Sequence, residues 1–199
     1  MIDLVNKNQE KMLEVIESTK QVNITNNTHN NQKISINVFL NEHCKGAMNL
    51  TDFIKDLQVT LQDLEVTNNL GYVNGYSQLL IKGLNDLPTT ERPIHCSDPK
   101  RQKFYVMEEG AWEKDDGGSK VEKAINDVTI KKVKQLRNWE NSHPNYETDK
   151  GLLLEWHKII QTITGAGEKE KKEKDKKEII KQIGENLNIK TAIESLNNE

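Results

Sequence analysis

The sequence is poor in the residues that build covalent or cofactor frameworks. It has 2 Cys in 199 residues, Cys44 and Cys96, too few for the disulfide-dense scaffold of a small secreted domain. It has 4 Pro, and its only Arg residues are Arg92, Arg101 and Arg137. No apolar run approaches the roughly 18 residues that a membrane-spanning helix needs, which excludes that class. The start, MIDLVNKNQE, lacks a basic stretch followed by an apolar segment, so no secretory signal is expected and a reducing, intracellular compartment is. The Asn-x-Ser/Thr patterns at Asn23, Asn26 and Asn49 are then expected to stay unmodified. There is no P-loop, GxGxxG, HExxH, GxSxG or EF-hand pattern, and no closely spaced ligand pair of a zinc finger. The expectation is therefore a non-enzymatic protein with no catalytic residues, no cofactor and no metal.

What is present is polar. Charged residues make up 30% and hydrophobic ones 34%, with a mean hydropathy of -0.78. Such a chain is expected to hold one modest core with polar arms. Lys plus Arg is 28 and Asp plus Glu is 31, a formal net charge of -3. That balance gives no overall attraction to nucleic acid or to an anionic membrane, so any such binding needs a local patch. Asn, Lys and Ile are abundant, which suits an AT-rich coding sequence and is not itself a function.

The predicted fold class is mainly α (α+β): a compact helical domain with a small β-hairpin, flanked by amphipathic helical arms. Residues 1–20 read as an amphipathic helix, with Ile2, Val5, Met12 and Ile16 at a/d spacing. Residues 21–33 are an Asn-rich linker. The central domain spans 34–165. Ile34, Ile36 and Val38 alternate, which predicts a short strand. A helix capped by Asn49 or Thr51 carries Phe53, Ile54, Leu57, Leu61 and Leu64, and the break at Asn68 to Gly71 precedes another that runs to Pro88. Residues 91–103 read as a loop, and a hairpin lies near 103–114. Ser119 with Glu122 predicts a capping box for a long helix bearing Ile125, Val128, Leu136 and Trp139. Another helix carries Trp156, Ile159 and Ile160. Residues 166–199 form a charged helical tail with an apolar edge from Ile179 onward, either folded back or exchanged with a partner. Phe53, Leu57, Leu61, Leu80, Leu84, Ile125, Val128, Trp139 and Trp156 are the expected core.

Three groups of residues carry chemical potential. His43, Cys44, His95 and Cys96 have the ligand types that zinc favours, but adjacent residues in each pair cannot easily point at one ion, so buried thiols beside capping or surface imidazoles are preferred. Ile94 and Cys96 are expected to face the core and His95 to face outward. A Cys–His nucleophile would need a lowered thiol pKa and an oxyanion site, neither visible in the sequence. Asp52, Asp56 and Asp63 fit the wet face of a helix. The third group is basic: Lys100, Arg101 and Lys103 beside the hairpin, and Lys131, Lys132, Lys134 and Arg137 on the long helix. A hairpin next to helices is similar to a winged arrangement that lies along a phosphate backbone, although 16 bases face 19 acids between residues 34 and 164.

The segments NVFLNEHCKGAMNLTDFI, GYVNGYSQLLIKGLNDL and RPIHCSDPKRQKFYVMEEGAWEKD together resemble an uncharacterised domain of giant nucleocytoplasmic large DNA viruses, over about residues 34–165. In such proteins the domain often follows a C2H2 zinc finger or a coiled coil, and no CxxC or HxxxH finger precedes residue 34 here. The resemblance implies a viral structural or interaction protein, acting in assembly or as a scaffold. Its setting would be the host cytoplasm, in the viral factory or virion. The expected partner is a protein, or a second copy bound through the terminal helices, with nucleic acid as the alternative and no membrane.

Overall fold

Apolar spacing and helix caps explain most of the architecture. The computed structural model describes residues 34–196, and among them seven helices surround one three-stranded antiparallel sheet. The first helix, α1, is Ile36–Val38 continued by a wider π-helical turn over Phe39–His43. The Ser35 hydroxyl accepts from Val38 N and opens it, and Cys44 N donates to Phe39 O across the wide turn (2.9 Å). The strand expected at Ile34 to Val38 is thus a helix. Its alternating apolar residues are too few to separate the two periods, and the wide turn swings Phe39, Leu40 and Cys44 inward.

Helix α2 spans Leu50–Asp56 and stops at Leu57. The chain restarts at Thr60, whose hydroxyl and backbone exchange hydrogen bonds with Asp63 in a capping box, and α3 runs over Leu61–Asn85. The single helix expected from Phe53 to Leu64 is therefore two, and Leu61 falls at the exposed start of the second. The break expected at Asn68 to Gly71 is a kink inside α3, where Gly71 takes φ 80° and ψ 170°. That region is almost closed to side-chain-bearing residues.

Strands β1 (Ile94–Asp98), β2 (Lys103–Glu108) and β3 (Ala111–Asp116) pair in the order β1-β2-β3. The segment read as a loop is β1, with Pro93 and Pro99 outside its ends. Pro93 lacks an N–H but still offers its carbonyl, which accepts from Met107 N (2.8 Å). Helix α4 (Ser119–Ser142) is not capped by a Ser119–Glu122 box. The buried Asp115 carboxylate reaches over from β3 and accepts from Ser119 Oγ (2.9 Å) and Lys120 N (2.9 Å). Asp149 caps α5 (Lys150–Thr164).

Helices α6 (Lys169–Asn186) and α7 (Ile189–Leu196) follow. The polar first turns of α6 stay in solvent. Its apolar edge, Ile179, Ile180 and Ile183, joins Phe104, Val106, Tyr76, Leu80 and Ile125 in the main core. Between α6 and α7 the chain runs along the free edge of β1: Cys96 N donates to Leu187 O (2.7 Å), and Cys96 and Asn188 form a parallel bridge. Residues 166–196 of the expected tail are folded back into the same unit, which begins at Ile34. A second cluster, Phe39, Leu40, Ile189 and Ile193, covers the opposite face of the sheet, and a third joins α3, α4 and α5 around Leu64, Leu136, Trp139 and Ile159.

Of the expected core, Phe53, Leu80, Leu84, Ile125, Val128 and Trp139 are buried, Leu57 and Trp156 are half-buried, and Leu61 is exposed. The amphipathic helix expected over 1–20 and the linker over 21–33 lie outside the described residues.

Candidate functional site

The seven bases singled out from the sequence separate into distinct environments. Lys100, Arg101 and Lys103 are exposed around the β1–β2 turn, where the Asp98 carboxylate accepts from Arg101 N (3.0 Å). Gln102 O accepts from Gly117 N (3.0 Å), so this turn sits at the start of α4. Lys134 and Arg137 are exposed too, but Lys134 is 15 residues into α4, about 22 Å along its axis. Lys131 is committed elsewhere: its Nζ donates to Lys55 O (2.7 Å) and Leu57 O (3.0 Å), closing the C-terminal end of α2. The structure thus does not bring the two basic groups into one patch.

Lys132 is fully buried. It lies on the same side of α4 as Val128 and Leu136, so its stem fills a core position. Its Nζ donates to Thr67 Oγ1 and lies 4.2 Å from the centroid of the Tyr76 ring. Thr67 Oγ1 in turn donates to Asp63 O (2.7 Å). Burial pulls the ammonium down to about 8, with Asp63 opposing the shift. The i, i+4 spacing from Val128 to Lys132 to Leu136 was the signal for this placement. Treating Lys132 as one of a basic run obscured it.

The two Cys–His pairs do not converge. His43 is exposed. Cys96 faces the main core, with Sγ 3.4 Å from Lys103 O. Cys44 and His95 meet on the opposite side of the sheet, Sγ to Nε2 at 3.9 Å. Among the described residues no three metal-ligating side chains group together. The His95 ring is 1% exposed, packed edge-on against Phe39 (5.0 Å) and near Trp112 (5.6 Å). Its expected outward position is corrected. Strand alternation does send it away from Ile94 and Cys96, but α1 and α7 cover that face of the sheet, so both faces are interior.

The electrostatics keep these groups neutral. Burial pushes both thiols up to about 12, the reverse of what a nucleophilic Cys requires. Burial, reinforced by the nearby Arg92 charge, pulls His95 down to about 4. Asp52 and Asp56 are exposed, and Asp63 serves the α3 cap. Sequence reasoning missed Arg92 as a site residue because its position before Pro93 marked it as connector. Its Nε donates to Leu87 O (3.3 Å), and burial lowers its pKa. With Thr89, His95, Asn188 and Thr191 it lines a small cavity of about 110 Å³.

The sequence matches no protein-family model, and no curated protein or solved structure is similar to it.

Proposed function

We propose that this chain is a non-enzymatic assembly or scaffold protein, working in the factory or virion of a large DNA virus in the host cytoplasm. The viral setting rests on the three sequence segments quoted above. The interaction role rests on the outer face of α4. Ile130 (56% exposed) and Val133 (38% exposed) lie one turn apart on the side away from the core stripe. The exposed Lys134 and Arg137 continue that side. An apolar pair beside cations suits a partner helix that carries its own apolar residues and carboxylates. The C-terminal apolar edge is already used within the core, so contact between copies is assigned to this face and to residues 1–20.

Light scattering over a concentration series tests the reading. The expected result is a mass that rises with concentration in the full chain. Ile130→Glu with Val133→Glu, and separately deletion of 1–20, should each weaken that rise while unfolding stays cooperative. A full chain that stays monomeric at high micromolar concentration would overturn self-association.

Nucleic-acid binding is the second reading. It draws on the exposed Lys100, Arg101 and Lys103 and on the Lys-rich α6 beside them, where Gln102 Nε2 donates to Lys177 O (3.1 Å). Neutralising the three bases should lower both affinity and its salt dependence. Absence of binding to any strand at low salt rejects it.

A further inference from the structure

The cavity behind β1 gathers several hydrogen-bond donors around one cation, on a lining that also includes Leu187 and Ala192. Its wall is assembled from two distant parts of the chain: Thr89 from the turn after α3, Arg92 just before β1 and His95 within it, then Asn188 from the link between α6 and α7, and Thr191 and Ser195 from one side of α7. Among the described residues no carboxylate lines it. Arg92 uses Nε on Leu87 O, and among the described residues no acidic side chain lies within ion-pair distance of its guanidinium. A half-buried guanidinium that has given up water without meeting an opposite charge is costly, and an anion relieves that cost.

The other groups favour the same ligand. Asn188 Oδ1 is engaged by Lys190 N (2.9 Å), which leaves its amide nitrogen as the free end. The hydroxyls of Thr89 and Thr191 carry no hydrogen bond among the described residues, and each can turn a proton toward an oxygen acceptor. His95 meets Cys44 through Nε2, and the opposite nitrogen, Nδ1, has no hydrogen-bond partner there. This imidazole is 1% exposed and still forms part of the cavity wall. The His95 imidazole on this wall lies beside a guanidinium with no carboxylate in reach among the described residues.

We infer that this cavity is a binding site for a small oxyanion, of the phosphate or carboxylate class, held by Arg92 with His95, Asn188 and the two threonines. The volume, about 110 Å³, admits one such group. The oxyanion is either a free inorganic ion or the charged end of a small metabolite. Because α7 supplies one wall and β1 another, an occupant ties α7 to the sheet edge. Its binding therefore appears as added stability of the folded state. This site is separate from the outer face of α4, and neither reading depends on the other.

Thermal unfolding of the full chain, at constant ionic strength in chloride, orthophosphate, acetate or glycerol 3-phosphate, tests the inference. The expected result is a saturable rise in Tm with at least one oxyanion, accompanied by a shift of the His95 ring resonances at the same concentrations. A preference for orthophosphate or acetate assigns a free ion, and a preference for glycerol 3-phosphate assigns the end of a metabolite. Arg92→Gln should weaken the apparent affinity tenfold or more. Thr191→Val, at an exposed position that leaves the core intact, should weaken it severalfold and covers the case in which Arg92→Gln does not fold. Phosphate also stabilises proteins in general by exclusion from their surfaces. A non-saturating rise equal in wild type and Thr191→Val, or no response to any of the anions, would overturn the site.

Discussion

Lys132 Nζ sits 4.2 Å from the centre of the Tyr76 ring with no carboxylate in contact among the described residues, so the core of this protein contains a cation held by a hydroxyl and a π face. Tyr76 is itself fixed from the other side, its hydroxyl donating to Ile163 O (2.7 Å) and lying 3.0 Å from Thr129 Oγ1. The pair joins α3, α4 and α5 around one polar point.

The buried ammonium has a signature in pH. Its folded pKa, about 8, lies below the ordinary value of 10.5, so between those values the unfolded chain binds more protons than the folded one. Stability contributed by this site must rise with pH across that window. The thiols of Cys44 and Cys96 act in the opposite sense above pH 9, since their folded pKa values are raised to about 12. The clean measurement is the difference between wild type and Lys132→Met in urea unfolding at pH 7.5, 8.5 and 9.5. Lys132→Met should be neutral or stabilising at pH 7.5, with its advantage shrinking as pH rises. A gap that does not change with pH would contradict a depressed ammonium.

His95 predicts the acid side. Its folded pKa of about 4 lies below the ordinary 6.5, so the folded state carries fewer protons between those values. Stability is therefore lost as pH falls from 6.5 toward 4. His95→Phe should flatten that part of the profile relative to wild type, leaving the steeper loss from carboxylates below it. Equal slopes for both proteins from pH 6.5 to 5 would show that His95 does not carry the effect.

Gly184 lies where α6 crosses the sheet, and a Cβ there would stand 2.9 Å from Cys96 Sγ and 3.2 Å from Phe104 Cζ. Gly184→Ala should cost about 1–3 kcal/mol by overpacking. The cost should fall when Cys96→Ala is made as well, because the sulfur is the nearest obstacle. A double-mutant cycle by denaturant unfolding measures this coupling, and strict additivity would place the strain elsewhere.

Much of this was legible because it depends on spacing. The stripes on α4 and α5, the stop at Pro88 and the β2–β3 hairpin all follow from local pattern, and the helical fold with a small sheet follows from them. What escaped depends on contacts distant in sequence. Nothing near His95 announces that α7 covers it, and β1 looks like a loop until Asn188 and β2 supply its neighbours. The Asp115 cap was hidden for the same reason: a carboxylate at the end of a strand substitutes for the nearer and more conventional Ser119. The oxyanion cavity shares that origin, since its lining comes from two distant stretches of chain, 89–95 and 186–195.

Asp115 tests how far such a cap matters. Asp115→Ala removes the acceptor for Ser119 Oγ and Lys120 N at a buried position, and should cost roughly 2 kcal/mol or more. Asp115→Asn keeps one acceptor oxygen and should recover part of that loss. Urea midpoints of the two variants decide it, and a wild-type midpoint for Asp115→Ala would rule the cap out as a stabilising element.

The bridge between Cys96 and Asn188 also sets an order in time. A ribosome makes β1 long before it makes the strip of chain that lines its edge. Until Leu187 and Asn188 emerge, the nascent protein carries a sheet with an open side and a histidine facing water on a surface meant to be interior. Such an edge is a template for pairing with other chains. During synthesis that edge stays open to mispairing until α6 and α7, which follow the sheet in the chain, fold home against it.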